Sequence, residues 1–75
     1  MVEAYLLVDA RGLEPPEPME RVLDALCRAR PGQRVVMLLE REPFPLYRIL
    51  KQNGYDHAVS CDDGVYRIEI WEKSG

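Results

Sequence analysis

The sequence predicts an α/β (α+β) fold in two layers, with a four-stranded mixed sheet and two helices on one face, as a single domain over residues 1–75. Three observations carry this prediction. Two apolar runs are each followed by a proline-rich loop and a helical pattern. Two further strand patterns, joined by a turn signal, complete the order β-α-β-α-β-β. The apolar share of 47% is ordinary for a globular protein, so we expect an ordered chain.

The first predicted strand is the apolar run AYLLV at residues 4–8, bounded by Asp9 and Gly12. The first predicted helix begins at Pro16, because the first-turn positions of a helix have no N–H partner within the helix and tolerate proline. The apolar face of this helix is Met19, Val22, Leu23 and Leu26. The helix ends at RPGQ, residues 30–33, where proline and glycine interrupt the pattern.

The second half of the chain repeats this arrangement and adds a hairpin. RVVMLL at 34–39 predicts a buried strand. The loop EREPFP at 40–45 leads into a second predicted helix, which Gly54 caps. The apolar face of that helix is Leu46, Ile49, Leu50 and Asn53. Strands at 55–61 and 65–71 are joined by DDG, a hairpin signal. In the last strand Tyr66, Ile68 and Ile70 face one way, and Arg67, Glu69 and Trp71 the other.

Two helices on one face leave the other face of the sheet open. We expect Tyr5, Leu7, Trp71 and alternate residues of 35–39 to lie there. Two interpretations stay open. An apolar open face is typical of a protein partner or a homodimer. Scattered apolar residues are equally compatible with the surface of a monomer.

The two proline loops both leave the carboxyl ends of adjacent parallel strands, and open α/β sheets bind their ligands at that edge. The predicted binding residues are Asp9, Arg11, Gly12, Glu14, Pro15, Pro16, Glu17, Glu40 and Arg41. Carboxylates here, including Glu42, would occupy the helix N-termini that otherwise attract anions, so we expect weak phosphate binding. The structural alternative is that these acids cap the helices and pair with Arg11 and Arg41.

The chain is poor in side chains that catalyse reactions. It has no threonine, two serines and one histidine, His57. Cys27 and Cys61 are predicted to be buried thiols that act as small hydrophobes. Neither position favours a thiolate, because Cys27 lies near the C-terminal end of the first helix and Cys61 lies beside the two acids of DDG. His57 and Cys61 lie four residues apart on one strand, about 13 Å, too far to share a metal ion. We therefore expect no catalytic residue, no metal and no cofactor.

The charge of the chain disfavours nucleic acid as a partner. The formal net charge is −3, with acids spread along the whole sequence, whereas nucleic-acid binders present a basic stripe. RNA binding through the open sheet face would also need basic residues among the aromatics. No apolar stretch approaches the roughly 18–20 residues of a membrane span, and the start lacks the features of a secretory signal. We expect a cytoplasmic protein that does not bind membranes.

GLEPPEP at 12–18, with Asp9 three residues before the glycine, resembles the signature of the small TusA/SirA-type sulfur carriers. Their pattern is Gly-Leu, one residue, then Cys-Pro-x-Pro at the start of the first helix. The matching residues are Gly12, Leu13, Pro16 and Pro18. In that family the cysteine carries persulfide sulfur, and the aligned position here is Pro15. The resemblance covers essentially the whole chain and implies the same fold without the sulfur-carrying residue.

With REPFPLY at 41–47 as well, the chain is similar to an uncharacterised sister family of this fold that lacks the cysteine. Some members are joined to hemerythrin-like domains or found beside denitrification functions. The resemblance implies a protein partner, with hemerythrin-like or sulfur- and nitrogen-metabolism proteins as candidates. The prediction is a non-catalytic binding or regulatory module. The alternative is a sulfur-transfer or thiol-redox protein that uses Cys61 or Cys27.

Overall fold

The structure is a computed structural model that describes residues 5–73. Its elements follow the predicted order: β1 Tyr5–Asp9, α1 Glu17–Arg28, β2 Arg34–Leu39, α2 Phe44–Gln52, β3 Tyr55–Asp62 and β4 Val65–Glu72. The predicted boundaries agree to within one residue except at the start of α2. There the predicted loop 40–45 extends two residues too far, because Phe44 and Pro45 already belong to the first turn of the helix. α1 begins one residue after Pro16, which is its N-cap. Residue 4, the predicted start of the first strand, lies outside the described residues.

The sheet has the strand order β1-β2-β4-β3. β1 pairs with β2 in parallel, whereas β4 is antiparallel to both β2 and β3. Both helices contribute to one core cluster with the strand residues of a single sheet face. The predicted fold class, a mixed four-stranded sheet covered by two helices on one side, is confirmed. Between residues 5 and 73, no helix is long and apolar enough to cross a membrane.

The helix faces that contact the sheet differ in detail from the predicted ones. In α1 the buried residues are Val22 and Ala25, whereas Leu23 is 36% exposed. Successive helix residues are rotated by about 100°, so a stripe centred on Val22 and Ala25 turns Leu23 toward solvent. In α2, Leu50 is buried as predicted. Asn53 is exposed instead, and its side-chain amide donates 2.8 Å to the carbonyl oxygen of Ile49 at the helix end.

A two-residue turn sets the register of the hairpin. Asp63 and Gly64 both have positive φ, 53° and 79°, which is the geometry of a type I′ turn and favours glycine at the second position. In the resulting register His57 lies opposite Ile70, on the side that faces the helices. A shift of one residue would move this side chain to the other face of the sheet. The hairpin predicted from DDG is confirmed.

The open face of the sheet carries charged residues beside apolar ones, as the alternation in the last strand predicts. Glu69 accepts a hydrogen bond from Arg34 at 2.7 Å and a second from Arg67 at 3.3 Å, and the pKa of its carboxyl is lowered chiefly by the Arg34 hydrogen bond. The Arg34 guanidinium also lies over the Trp71 ring, 4.5 Å from the centroid. The exposed apolar surface is concentrated on β1, where Leu7 is 57% exposed. A homodimer through this face stays a prediction.

Candidate functional site

The two proline loops enclose a groove at the carboxyl edge of the parallel strands. It has a volume of about 600 Å³ and lies between the N-termini of α1 and α2. We call it the proline groove; its lining residues are Ala10, Gly12, Leu13, Glu14, Pro15, Pro16, Pro18, Met19, Met37, Leu39, Glu40, Arg41, Glu42, Pro43, Pro45 and Leu46. Most of these side chains are apolar. The groove is therefore an apolar cleft with a charged rim.

A hydrogen bond between the loops holds the groove in shape. The backbone N–H of Gly12 donates to Glu40 Oε1 at 3.1 Å, which ties the first proline loop to the second. Gly12 has φ 79°, a conformation that side-chain-bearing residues rarely adopt. A Cβ at this position would meet no atom within 4 Å. The glycine is therefore required by its backbone conformation rather than by crowding.

The side chain of Arg11 folds back onto Asp9 beside the groove. Its Nε and NH2 atoms donate to the two carboxylate oxygens of Asp9 at 2.9 and 2.8 Å, and the Arg11 backbone N–H donates to Oδ1 at 3.2 Å. These hydrogen bonds lower the pKa of Asp9 to about 2, and those from the Arg11 side chain have the largest effect. Neither residue lines the groove. The pair fixes the loop that carries Gly12.

Prolines take the place of backbone donors at the start of both helices. They occupy the N-cap and the second helical position of each helix: Pro16, Pro18, Pro43 and Pro45. The intervening N–H groups bond within the loops: Glu17 N–H to the Glu14 carbonyl at 2.9 Å, and Phe44 N–H to the Glu42 carbonyl at 3.0 Å. An incoming anion would find few free N–H groups, which supports the expectation of weak phosphate binding.

The prediction that the acids cap the helices is wrong. Neither α1 nor α2 has a side-chain cap, and the first turn of α2 contains no acidic residue. Glu40 instead accepts from Gly12, and Glu42 Oε2 accepts from the hydroxyl of Tyr47 at 3.0 Å. The prolines at the N-caps explain the difference, because the chain enters each helix without a side-chain oxygen at the capping position.

An aromatic cluster flanks the α2 side of the groove. The Tyr47 ring stacks on His57 with a centroid distance of 4.4 Å and an interplanar angle of 2°. Phe44, 67% exposed, meets Tyr47 edge-on at 6.0 Å. Burial raises the pKa of Tyr47 above its ordinary value of 10.0, and the hydrogen bond to Glu42 raises it further. The cluster holds Glu42 at the rim.

The substitution Tyr47→Phe is expected to make stability less sensitive to alkaline pH. The folded chain keeps the Tyr47 proton where the unfolded chain has lost it, so the stability that Tyr47 contributes falls as pH rises above about 10. Urea denaturation should show the difference in unfolding free energy between wild type and variant shrinking between about pH 9 and 11. All other titrating groups are common to both chains. A difference that does not change with pH would contradict a raised pKa of Tyr47 in the folded chain.

Two charged side chains of the rim have neither a hydrogen bond nor an ionic partner among residues 5–73. Arg41 and Glu14 are exposed and form no ion pair with any residue between 5 and 73. The predicted pairing of Arg11 and Arg41 with helix-capping acids is thus wrong for Arg41, and Arg11 pairs with Asp9. The rim presents charges that are available to a ligand.

Residues 7–72 of the chain match the family described as an uncharacterized conserved protein, DUF2249. The chain belongs to this family. In fold it is similar to the crystal structure of a SirA-like protein from Desulfitobacterium hafniense, with a TM-score of 0.79 and 23% identity, covering 92% of this chain and 99% of that one. No curated protein gave a significant match. The SirA-like fold implied by GLEPPEP is therefore confirmed, whereas the equivalence of Pro15 with the sulfur-carrier cysteine stays a prediction.

The groove of this DUF2249 member contains six of the nine predicted binding residues. Those that line it are Gly12, Glu14, Pro15, Pro16, Glu40 and Arg41. Asp9, Arg11 and Glu17 do not. The predicted binding residues did not include the apolar floor, which is formed by buried residues such as Met37, Leu39 and Leu46. Met37 and Leu39 lie on the helix-facing side of β2 at its end, and Leu46 lies in the first turn of α2. These positions could have identified all three from the sequence.

Both thiols are solvent-exposed, so the prediction that they are buried is wrong. Cys27 follows Leu26 on α1 and lies outside the stripe of Val22 and Ala25. Neither cysteine lines the proline groove, and no Ser, Thr, His or Lys appears among its described lining residues. Within residues 5–73, no group of three or more His, Cys, Asp or Glu side chains is placed to hold a metal ion.

Proposed function

We propose that this chain is a non-catalytic binding module that holds a segment of a partner protein in the proline groove. The observation that carries the proposal is the composition of the groove: an apolar floor and proline walls, with no nucleophilic side chain among its described lining residues. Its volume of about 600 Å³ falls in the range of about 300–1,000 Å³ that is usual for binding sites. Such a surface binds without making or breaking covalent bonds.

The rigidity of the loops favours this role. Proline fixes φ, so the four prolines at the helix starts have little backbone freedom to lose on binding. The hydrogen bond between Gly12 and Glu40 and the Arg11–Asp9 pair further restrict the first loop. A preformed groove spends little binding free energy on ordering itself.

The resemblance to sulfur carriers supports the absence of catalysis. By that resemblance, Pro15 would stand at the position of the cysteine that carries sulfur, and a proline has no atom that can do so. The chain would then use a sulfur-carrier scaffold for recognition or regulation in the cytoplasm. Hemerythrin-like proteins and proteins of sulfur or nitrogen metabolism are the partner candidates, by the same resemblance.

Photo-crosslinking tests the proposal. A photoreactive phenylalanine analogue in place of the exposed groove residue Pro45 is expected to crosslink a protein in a lysate of the source organism. The matched control carries the same analogue at Ser60, an exposed position on the open face of β3. An excess of unlabelled wild-type chain should compete the Pro45 adduct away. Adducts that form equally from both positions, or from neither, would contradict a partner site in the groove.

The exposure of both cysteines favours a second candidate, sulfur transfer or thiol redox chemistry through Cys61 or Cys27. This candidate requires a sulfur atom on one of the thiols that passes to an acceptor. Incubation with a cysteine desulfurase and cysteine, followed by mass spectrometry, distinguishes the two candidates. A sulfane adduct that disappears when an acceptor thiol is added would favour the second; a mass that does not change favours the binding module.

A further inference from the structure

We propose that the partner segment is basic: a bulky apolar side chain enters the proline groove, and a flanking lysine or arginine contacts the acidic rim. This inference rests on the proposed function and specifies the chemistry of the partner. It follows from two independent features of the groove, the polarity of the floor and the sign of the charge around it.

The floor selects an apolar side chain. Met37, Leu39 and Leu46 are buried core residues whose surfaces close the bottom of the groove. Met19 lines the wall on the α1 side. Because the floor residues are already buried, an apolar side chain in the groove mainly removes itself and the exposed proline walls, such as Pro15 and Pro45, from water. A charged group placed there would lose its hydration without an ionic partner.

The rim carries an excess of negative charge. Glu14, Glu40 and Glu42 line the groove against a single guanidinium, that of Arg41. The hydrogen-bond donors to Glu40 and Glu42 are neutral, the Gly12 backbone N–H and the Tyr47 hydroxyl. Arg11 also lies close to Glu40, but its side chain is bound through two donors to Asp9. The carboxylates of the rim therefore keep charge that a basic segment can neutralise.

The same residues exclude an acidic or phosphorylated segment. Prolines at the helix starts remove the N–H donors that commonly bind anions. An anionic ligand would meet like charges at the rim and few donors at the helix ends, so the sign of the charge discriminates between partners.

Selection from a random peptide library displayed on phage tests the inference, with the wild-type chain as bait. We expect enriched peptides that carry a bulky apolar residue flanked by lysine or arginine. The rim variant Glu14→Lys should weaken their binding about fivefold or more at low ionic strength, because it reverses a rim charge. Glu20→Lys makes the same charge change on α1 outside the groove and should have a much smaller effect. Both sites are exposed, and NMR spectra of the variants check that they fold.

The outcomes separate this inference from the proposed function. Enriched peptides that bind in the groove but carry acidic or uncharged flanks would overturn the inference and leave the proposed function standing. Basic peptides that respond equally to Glu14→Lys and Glu20→Lys would overturn it as well, since their binding would reflect general charge attraction. If no peptide is enriched and no protein crosslinks from Pro45, both the inference and the proposed function fail.

Discussion

Leu46→Ala is expected to lower the free energy of unfolding by about 2–5 kcal/mol. Leu46 is fully buried, in the first turn of α2, and belongs to the core cluster. Removing its side chain loses the apolar contacts and leaves a cavity that the surrounding structure fills only in part. A chain of 75 residues has roughly 4–11 kcal/mol of stability in total. The variant should therefore unfold at a much lower urea concentration than wild type.

Two other alanine variants act as controls for this effect. Leu50→Ala removes an equally buried leucine from the next turn of α2 and should cost a similar amount. Leu23→Ala truncates a leucine that is 36% exposed on α1 and should cost less than about 1 kcal/mol. If Leu46→Ala and Leu23→Ala had the same small effect on urea denaturation, the floor of the groove would not be part of the core.

Met19→Gln should weaken partner binding about tenfold, because a polar amide replaces an apolar side chain at a desolvated contact. Glutamine is close to methionine in length and helix propensity, so the helix should be retained. The measurement is competition: an excess of the unlabelled variant should displace the crosslinked protein from the Pro45 probe only at about tenfold higher concentration than wild type.

The matched variant Leu23→Gln makes a similar exchange on the same helix, outside the groove. It should compete as well as wild type. If Leu23→Gln and Met19→Gln lose binding to the same extent, the effect would come from α1 as a whole rather than from the groove. If Met19→Gln competes like wild type, the apolar wall would play no part in binding.

Local patterns were sufficient to predict most of the fold. The apolar run of β2 and the DDG hairpin signal predicted strand bounds within one residue of the observed ones. The helix faces were less certain because α1 has apolar residues on both sides of its buried stripe. Only packing against the sheet shows that Ala25 is buried and that Leu23 and Cys27 are exposed. A small residue such as Ala25 gives no strong apolar signal.

The sequence predicts the edge of the sheet at which the candidate site lies, but not the residues that form its floor. The parallel pairing of β1 and β2 brings both proline loops to one edge, and that pairing follows from the element order. The floor required tertiary information, since Met37 and Leu46 are distant in sequence and look like ordinary core residues. The bonds of Glu40 and Glu42 were missed because their partners, a backbone N–H and a tyrosine hydroxyl, lie outside the capping pattern.

Recognition in the proline groove, as proposed, needs neither thiol. An NMR titration of the isotope-labelled Cys27→Ser/Cys61→Ser double variant with a library-selected peptide addresses both points at once. The predicted outcome is an affinity equal to that of wild type, with the largest amide shifts at Gly12, Leu13, Met19, Leu39 and Arg41. Loss of binding without the cysteines, or shifts centred on β3 or the open face of the sheet, would contradict it.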